Sequence, residues 1–419
     1  MTVAPEAPAM EQIPVYEKED LLNGCQAVAQ GVRLADVDVI SAYPIRPYTD
    51  VMDAISKHIA DGQLDAEYII ADSEHSQFEI VKHAASVGAR AFAGSSGTGW
   101  IYGFEALVVT ATDRMPVLFL VGNRALDDPG AFGVEHNDAM SVRDMGWLLC
   151  WATTAQEALE LVLLGYRVAE DPRVRMPMAL AMDGAFLTHS QHIVKIPSAD
   201  AVRRFLPPYD LGKRRLHPDN PISIAPQVNE DWVMEIRRQN WEAAHRAKDV
   251  IAEATADFEK TFGSHISSPF FDEYMTEDAD AVLIGLGTVA MPAKSAVKAL
   301  RARGKKVGYV NLRWFRPFPT DELRSCLGRF DAVGVIDRDF AHGSPDGGGI
   351  LFNDVRACLY PLSNRPATVN FIAGLGGRDI SIDECGDMYE RTLAVRGQQI
   401  AEDVVSWIGV RDSAQPGED

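Results

Sequence analysis

Four short apolar runs in the first half of the chain each give out on a segment able to do chemistry. Arg46 sits between Pro44 and Pro47 in SAYPIRPYTD (41–50), and Glu74 follows Ser73 in ADSEHS (71–76). Glycines and serines fill GSSGTGW (94–100), and Arg124, His136 and Asp138 lie in GNRALDDPGAFGVEHND (122–138). A carboxylate can take up and return a proton, and a guanidinium binds a substrate carboxylate through two parallel hydrogen bonds. If the runs are strands of one parallel sheet, their carboxyl ends share a crevice where Glu74, Arg46 and Arg124 converge, with His136 and Asp138 on its rim. Neither His136 nor Asp138 has a convincing nucleophile beside it, which argues against a hydrolase triad. Each group also has a plain reading: Ser73 caps a helix with Glu74 in its first turn, and the arginines are ion-pair partners or solvated loop charges.

Two glycine-rich segments are weaker signals. GSSGTG lacks the lysine of a P-loop and the spacing of a dinucleotide fingerprint, and GLGTVA (285–290) lacks the third glycine of a Rossmann signature. Solvated loop charges account for VIDRDFAHGSPDGGG (335–349). The aromatic residues Tyr48, Trp100 and Phe132 lie at or near the same strand ends and are candidates for packing a phenyl ring, or simply core.

The elements that must position these groups alternate. Leu21, Leu22, Cys25, Val28, Ala29 and Val32 fall at helical spacing, then come the strand VDVI and a helix from about Val51. The pattern continues with strand YIIA, a helix over 77–87, strand ARAFA, a helix from about Trp100, and strands PVLFLV and MPMALAMD. Short apolar strands alternating with helices predict an α/β fold with a mainly parallel sheet covered on both faces. Residues 195–230 are proline-rich and read as a surface excursion, and DWVMEIRRQNWEAAHRAKDVIAEATADFEKTF reads as a solvated connecting helix. A second alternation starts at 279, with AVLIGLG, KVGYVNL, AVGVID and TVNFIA as strands, and Val289, Ala293, Ala296, Val297 and Leu300 on one face of its first helix. The expected division is an extension over 1–20, a first domain over 21–230, a helical linker over 231–270, a second domain over 271–410 and an acidic tail over 411–419.

A chain of 419 residues with 47% hydrophobic content can fill two cores. Its net charge of −20 argues against a general binder of nucleic acid or anionic membrane. No stretch approaches the roughly 18 apolar residues of a membrane span, the start lacks a signal-peptide pattern, and the chain is read as cytosolic. Five scattered cysteines form no CxxC pair or metal-spaced cluster, so no metal or iron–sulfur site is assigned to this chain.

In order, YPIRP, DSEHSQFEIVKHAASVGARAFAGSSGTG, NRAL, HNDAMSVRDMGW, QEALEL and MDGAFLTH resemble the first domain of the 2-oxoacid:ferredoxin oxidoreductases. GLGTVAMPAKSAV, LRWFRPFP and VIDRD resemble that family's next domain, so the likeness runs from roughly residue 20 to 395. The resemblance implies a thiamine-diphosphate-binding pyrimidine-type domain followed by a transketolase C-terminal-like α/β domain. It further implies an α-type subunit, inactive alone, of a complex that oxidatively decarboxylates a 2-oxoacid. By carry-over of motifs, Glu74 in DSE promotes the imino tautomer of the cofactor's aminopyrimidine, which removes the C2 proton, and Arg124 in NRA binds the substrate carboxylate. Pro44, Ile45 and Ser96 are assigned with Glu74 to the cofactor, and Tyr43 and Arg46 with Arg124 to the substrate. Because the chain has no GDG segment, the resemblance places Mg²⁺ and diphosphate on a β-type partner. It also implies a γ-type subunit, a ferredoxin-like iron–sulfur subunit and coenzyme A as acyl acceptor. Arg46 stands where many members have threonine, and an arginine in a desolvated pocket favours a second negative charge on the substrate, as in the oxalate-oxidising branch. In length, Ala-rich start and acidic tail the chain is most similar to the phenylglyoxylate-oxidising branch. That branch implies phenylglyoxylate, coenzyme A and NAD⁺ giving benzoyl-CoA, CO₂ and NADH, with NAD⁺ handled by a partner carrying FAD. A pyruvate-type substrate is the other alternative from the same family, and a non-catalytic scaffold subunit the alternative from another class.

Overall fold

Buried apolar runs and helix caps set the architecture of the computed structural model, which describes residues 14–263, 266, 268–398 and 403–411. The expectations for residues 1–13 and for the tail from 412 lie outside the described residues. The first half contains the strands β1 (Tyr16–Asn23), β2 (Val39–Ala42), β3 (Glu67–Ile70), β4 (Ala91–Ser95), β5 (Leu118–Asn123), β6 (Leu148–Ala152), β7 (Met178–Asp183) and β8 (Gln191–Pro197). Between them run the helices α1 (Gly24–Leu34), α2 (Thr49–Ala60), α3 (Glu74–Ser86), α4 (Gly97–Tyr102), α5 (Phe104–Thr112), α6 (Asn137–Met140) and α7 (Ala155–Ala169). After β8 come α8 (Ala199–Phe205) and the long α9 (Asn229–Phe262).

The second half contains β9 (Phe271–Tyr274), β10 (Ala281–Leu286), β11 (Val307–Leu312), β12 (Trp314–Arg316), β13 (Ala332–Asp337), β14 (Ala367–Ile372) and β15 (Val405–Trp407). Its helices are α10 (Ala290–Arg301), α11 (Thr320–Leu327), α12 (Ile350–Leu359) and α13 (Ile382–Ala394).

Seven strands form one sheet in the order β12-β6-β7-β5-β4-β2-β3, and six form a second in the order β15-β14-β13-β10-β11-β9. All pairings within each sheet are parallel except those of the edge strands β12 and β9. Every residue of β4 to β7 is buried, as strands covered by helices on both faces require. The expected mainly parallel α/β fold is therefore what forms. The predicted face of α10, Val289, Ala293, Ala296, Val297 and Leu300, is buried as a unit.

Several expectations are corrected. Leu21 and Leu22 belong not to a helix but to β1, which pairs antiparallel with β8. Asn23 sets the boundary: its side chain accepts from the Gln26 amide while the Gln26 side chain accepts from the Asn23 amide, so helix begins only at Gly24. The helix expected from Gln77 starts three residues earlier, because the Ser73 hydroxyl accepts from the Ser76 amide. The proline-rich stretch is partly ordered by α8, which Ser198 caps. α9 is not simply solvated. From Ala243 onward it buries Ala243, Ala247, Val250, Ile251, Ala254 and Phe258, whereas Trp232, Met234 and Trp241 before that point are exposed.

The two sheets are tied by the stretch 311–316. Arg313, buried, donates to Glu157 Oε1 at 2.5 Å, to Asp272 Oδ2 at 2.6 Å and to the Ser268 carbonyl at 2.6 Å. Asn311 donates to the Thr153 hydroxyl at 2.8 Å, and β12 then crosses over to pair with β6. The segment LRWFRPFP thus reaches from the second sheet to the edge of the first.

Candidate active-site crevice

From β2 the chain moves outward to β3 and returns to β4 on the other side of β2, so the connections diverge between β2 and β4. A crevice opens beyond the carboxyl ends of such strands. Three turns border it: 43–48 after β2, 71–73 after β3 and the start of α4 after β4. Glu74 begins α3 and is only 7% exposed. Its carboxylate has no hydrogen-bond or ion-pair partner among the described residues, although burying a carboxylate without one is costly. It lies directly against α4, where a Cβ placed on Gly99 would come within 2.2 Å of Glu74 Oε1 and 2.6 Å of Ile45 Cδ1. Gly99 is thus the residue that lets the carboxylate and an apolar wall meet.

Ser96, at the start of α4, is fully buried and its hydroxyl has no partner. Arg124 lies beside Gly97, at the same turn: a Cβ on Gly97 would come within 3.4 Å of the Arg124 side chain. Its guanidinium donates to Asp127 at 3.0 Å and packs under the Phe132 ring at 4.7 Å, and its buried Nε has no partner. The first turn of α4 thus carries Glu74 and Ile45 against Gly99 and Arg124 against Gly97.

Asp138 holds this arrangement from beneath. Its fully buried carboxylate accepts from Asn123 Nδ2 at 2.7 Å and from the amides of Gly97 at 2.9 Å, Arg124 at 3.0 Å and Ala139 at 2.7 Å. Burial pushes its carboxyl up to about 6, against the pull of those donors. Asp138 is therefore an anchor that joins the ends of β4 and β5, not a rim residue. Asp138→Asn turns an amide group toward backbone donors, and the expected loss is about 1–3 kcal/mol of stability, read from denaturant unfolding.

His136 is likewise buried, not on the rim. Its Nε2 lies 2.8 Å from Asp183 Oδ1, at the end of β7. Asp183 also accepts from the Thr288 amide at 2.8 Å and from Arg338 at 3.0 Å, both in the second half of the chain. Burial would raise the Asp183 carboxyl, but the charges of His136 and Arg338 outweigh it and hold the group well below the usual carboxylate range. Nothing in the sequence marks this group, because its members are far apart in the chain, Asp183 lying 47 positions from His136 and 155 from Arg338.

The remaining candidates divide. Arg46 is exposed on this chain and makes no hydrogen bond or ion pair among the described residues. Pro47 takes the buried place instead, against Gly122 and Gly184, which leaves the preceding side chain outside. Pro44 is exposed, and Tyr43 is half-buried like Ile45. Of the aromatic candidates, Tyr48 is buried against Gly94, and Trp100 packs edge-on to Phe78 at 5.5 Å and Trp147 at 5.7 Å. These two are core, and Phe132 is 72% exposed on Arg124. Among the described residues these three form no aromatic cage for a phenyl ring. The five cysteines are all buried and unlinked.

Comparison with known proteins fits this geometry. Residues 30–256 match the family model described as pyruvate flavodoxin/ferredoxin oxidoreductase, thiamine diphosphate-binding, and residues 279–385 match pyruvate:ferredoxin oxidoreductase core domain II. The chain is 35% identical to pyruvate synthase subunit PorA of Methanocaldococcus jannaschii, over 94% of this chain and 98% of that protein. It is 36% identical to PorA of Pyrococcus furiosus, over 93% and 98%. With ketoisovalerate oxidoreductase subunit VorA of Pyrococcus abyssi it shares 35% identity, over 87% and 91%. Among solved structures, the 2-oxoglutarate:ferredoxin oxidoreductase of Magnetococcus marinus superposes with a TM-score of 0.70 at 15% identity, covering 90% of this chain and 66% of that one. A split-gene transketolase superposes at 0.52 and 11% identity, over 88% and 98%. Both structural likenesses concern the fold.

Proposed function

The chain belongs to the 2-oxoacid:ferredoxin oxidoreductase family as an α-type subunit, and on that premise we propose that it forms the proton-handling side of a thiamine diphosphate site acting on a small 2-oxoacid of the pyruvate class. The observation that carries this reading is the Glu74 carboxylate, buried against Gly99 and Ile45 without a partner among the described residues. A carboxylate buried without a partner among the described residues, beside an apolar wall, suits a heteroaromatic amine, whose ring nitrogen Glu74 would hold and whose face Ile45 would shield. When bound, thiamine diphosphate supplies the nucleophilic carbon and the electron sink for decarboxylation.

The chain's own groups then have distinct tasks. Glu74 holds a proton at its Oε atoms and exchanges it with the bound ring, Ile45 keeps water from that contact, and the Ser96 hydroxyl offers a hydrogen bond. Arg124, with a free Nε and a guanidinium fixed by Asp127 and Phe132, binds the substrate carboxylate. A β-type partner contributes diphosphate and Mg²⁺ binding, and iron–sulfur subunits accept the electrons. Coenzyme A accepts the acyl group.

The relatives' substrates favour the pyruvate-type alternative over the phenylglyoxylate, NAD⁺ and flavin reading, and the burial of Tyr48 and Trp100 removes two aromatic groups from the latter's support. The test is reduction of an artificial electron acceptor by the anaerobically purified complex, offered pyruvate, 2-oxoisovalerate, phenylglyoxylate or oxalate with and without coenzyme A. The expected result is coenzyme-dependent turnover of pyruvate or 2-oxoisovalerate, and none by this chain alone. Turnover of phenylglyoxylate only would overturn the proposal. Coenzyme-independent oxidation of oxalate alone would overturn it too, and make Arg46 the clamp for a second carboxylate.

A further inference from the structure

At the opposite end of the first sheet from the crevice, near the amino ends of β5 and β7, this acidic chain gathers arginines. Arg114 follows α5, Arg175 precedes β7, Arg214 lies in the turn Gly212–Arg214, and Arg237 lies in the exposed start of α9. None of the four has a carboxylate within ion-pair distance among the described residues, although most arginines of the chain do. Their partners are backbone carbonyls: Arg114 donates to that of Val174, and Arg214 to that of Asp113 at 2.8 Å. The buried Nε atoms of Arg114 and Arg175 have no partner among the described residues. Burial, together with the charges of Arg214, Arg246 and Arg175, pushes the Arg114 guanidinium down to about 10, and burial with Arg175 lowers Arg214 likewise. Like charges held together with only the more distant charge of Asp113 to offset Arg214 raise the energy of the folded chain, and an anion placed among them lowers it.

There is room for one. Arg114, Arg214 and Arg237 line a groove of about 560 Å³ between the end of α5, the loop 222–228 and α9, with Ile222, Val233 and Ile236 as its apolar side. Asp113 also lines it, but its carboxylate is turned to Lys82 at 3.8 Å. The groove continues past Thr112, Arg237 and Asn240, which it shares with a second cavity of about 430 Å³ walled by Met145, Trp147, Met176 and the exposed Trp241. A charged chamber joined to an aromatic one matches a ligand with an anionic head and a flat apolar body.

We propose that this arginine groove binds a phosphate-bearing ligand, of the nucleoside phosphate class, whose phosphates meet Arg114, Arg214 and Arg237 and whose base enters the cavity beside Trp241. The site is separate from the crevice, so its occupancy acts by fastening the start of α9, which otherwise reaches the first half through contacts such as Asn240 Nδ2 to the Thr112 carbonyl at 3.3 Å.

The test is calorimetric titration of the purified complex with ADP and with inorganic pyrophosphate. Wild type is expected to bind both saturably and less tightly as salt rises, and each of Arg214→Gln and Arg237→Gln to weaken both about tenfold or more. Trp241→Ala is expected to weaken ADP and leave pyrophosphate unchanged. Turnover of 2-oxoacid without ADP stays at the wild-type level in all three variants. Because Arg237 and Trp241 are exposed, these two variants fold even if Arg214→Gln does not. Absence of saturable binding to wild type, or equal binding by the Arg237→Gln complex, would overturn the proposal. So would loss of a subunit from that complex without any loss of ADP binding, which would give the arginines to a protein partner.

Discussion

Glu74→Gln is expected to lower 2-oxoacid turnover by the assembled complex roughly 10²- to 10⁴-fold, the range for removing a positioned proton-transfer group. Its shape is that of glutamate, and the carboxylate it replaces has no bond among the described residues to lose. Thermal stability should therefore hold or rise, since an unpartnered buried carboxylate is itself a cost. A residue with only a packing role would give the reverse pattern, with stability lost and turnover kept. Gly99→Ala approaches the same contact from the other side. Its methyl would sit 2.2 Å from Glu74 Oε1, so the carboxylate must leave its place while remaining in the sequence. Comparable losses of kcat in both variants, with the complex intact on gel filtration, would tie function to that contact. Full activity of Glu74→Gln would remove Glu74 from the mechanism and favour a scaffold role for the chain.

The largest expected effect on stability is at Asp183. Asp183→Ala leaves the Arg338 guanidinium, itself buried, without its carboxylate, and strips His136 and Thr288 of an acceptor. Breaking one side of a buried ion pair costs about 3–5 kcal/mol, and denaturant unfolding should show that loss. The carboxyl is held lower in the folded chain than its ordinary value near 4, so its contribution is fully present above that value and is lost as pH falls toward the depressed one. Wild-type stability should accordingly drop with acidification below about pH 4, and the Asp183→Ala chain should show less of that drop. Equal unfolding midpoints for the two chains at pH 7 would show that the node joining the two halves is not needed.

How much of this was legible in the sequence depended on the distance over which each signal acts. Strands such as PVLFLV and AVGVID declared themselves because full burial on both faces demands an unbroken apolar run. β1 did not, because one exposed ribbon strand, YEKEDLLN, carries no such run and its last apolar pair merges with the helix that follows. Glu74 and Arg124 were found from strand-end placement and motif resemblance. Gly99 was not, because its role appears only when α3 and α4 are side by side. Arg46 was legible only in part for a related reason: local sequence shows that a turn carries a charge, but only the packing of Pro47 turns that charge to the outside of this chain. Asp138 and His136 were placed on the rim because buried acids and histidines are uncommon. Asn123, the partner of Asp138, closes the strand just before their loop, and Asp183, the partner of His136, arrives from β7.

The return of β12 to the first sheet bears on the order in which the molecule can be made. β6, with the sequence LLCWA, is apolar and fully enclosed in the finished chain, and its outer neighbour is contributed by Trp314–Arg316. A ribosome releases β6 well over a hundred residues before that neighbour exists. Until then the nascent sheet ends in an unpaired hydrophobic strand, the kind of edge that recruits strands from other chains. The antiparallel closure by β12 is thus a late lock on the sheet, and the interval before it is when a half-made chain most needs a chaperone.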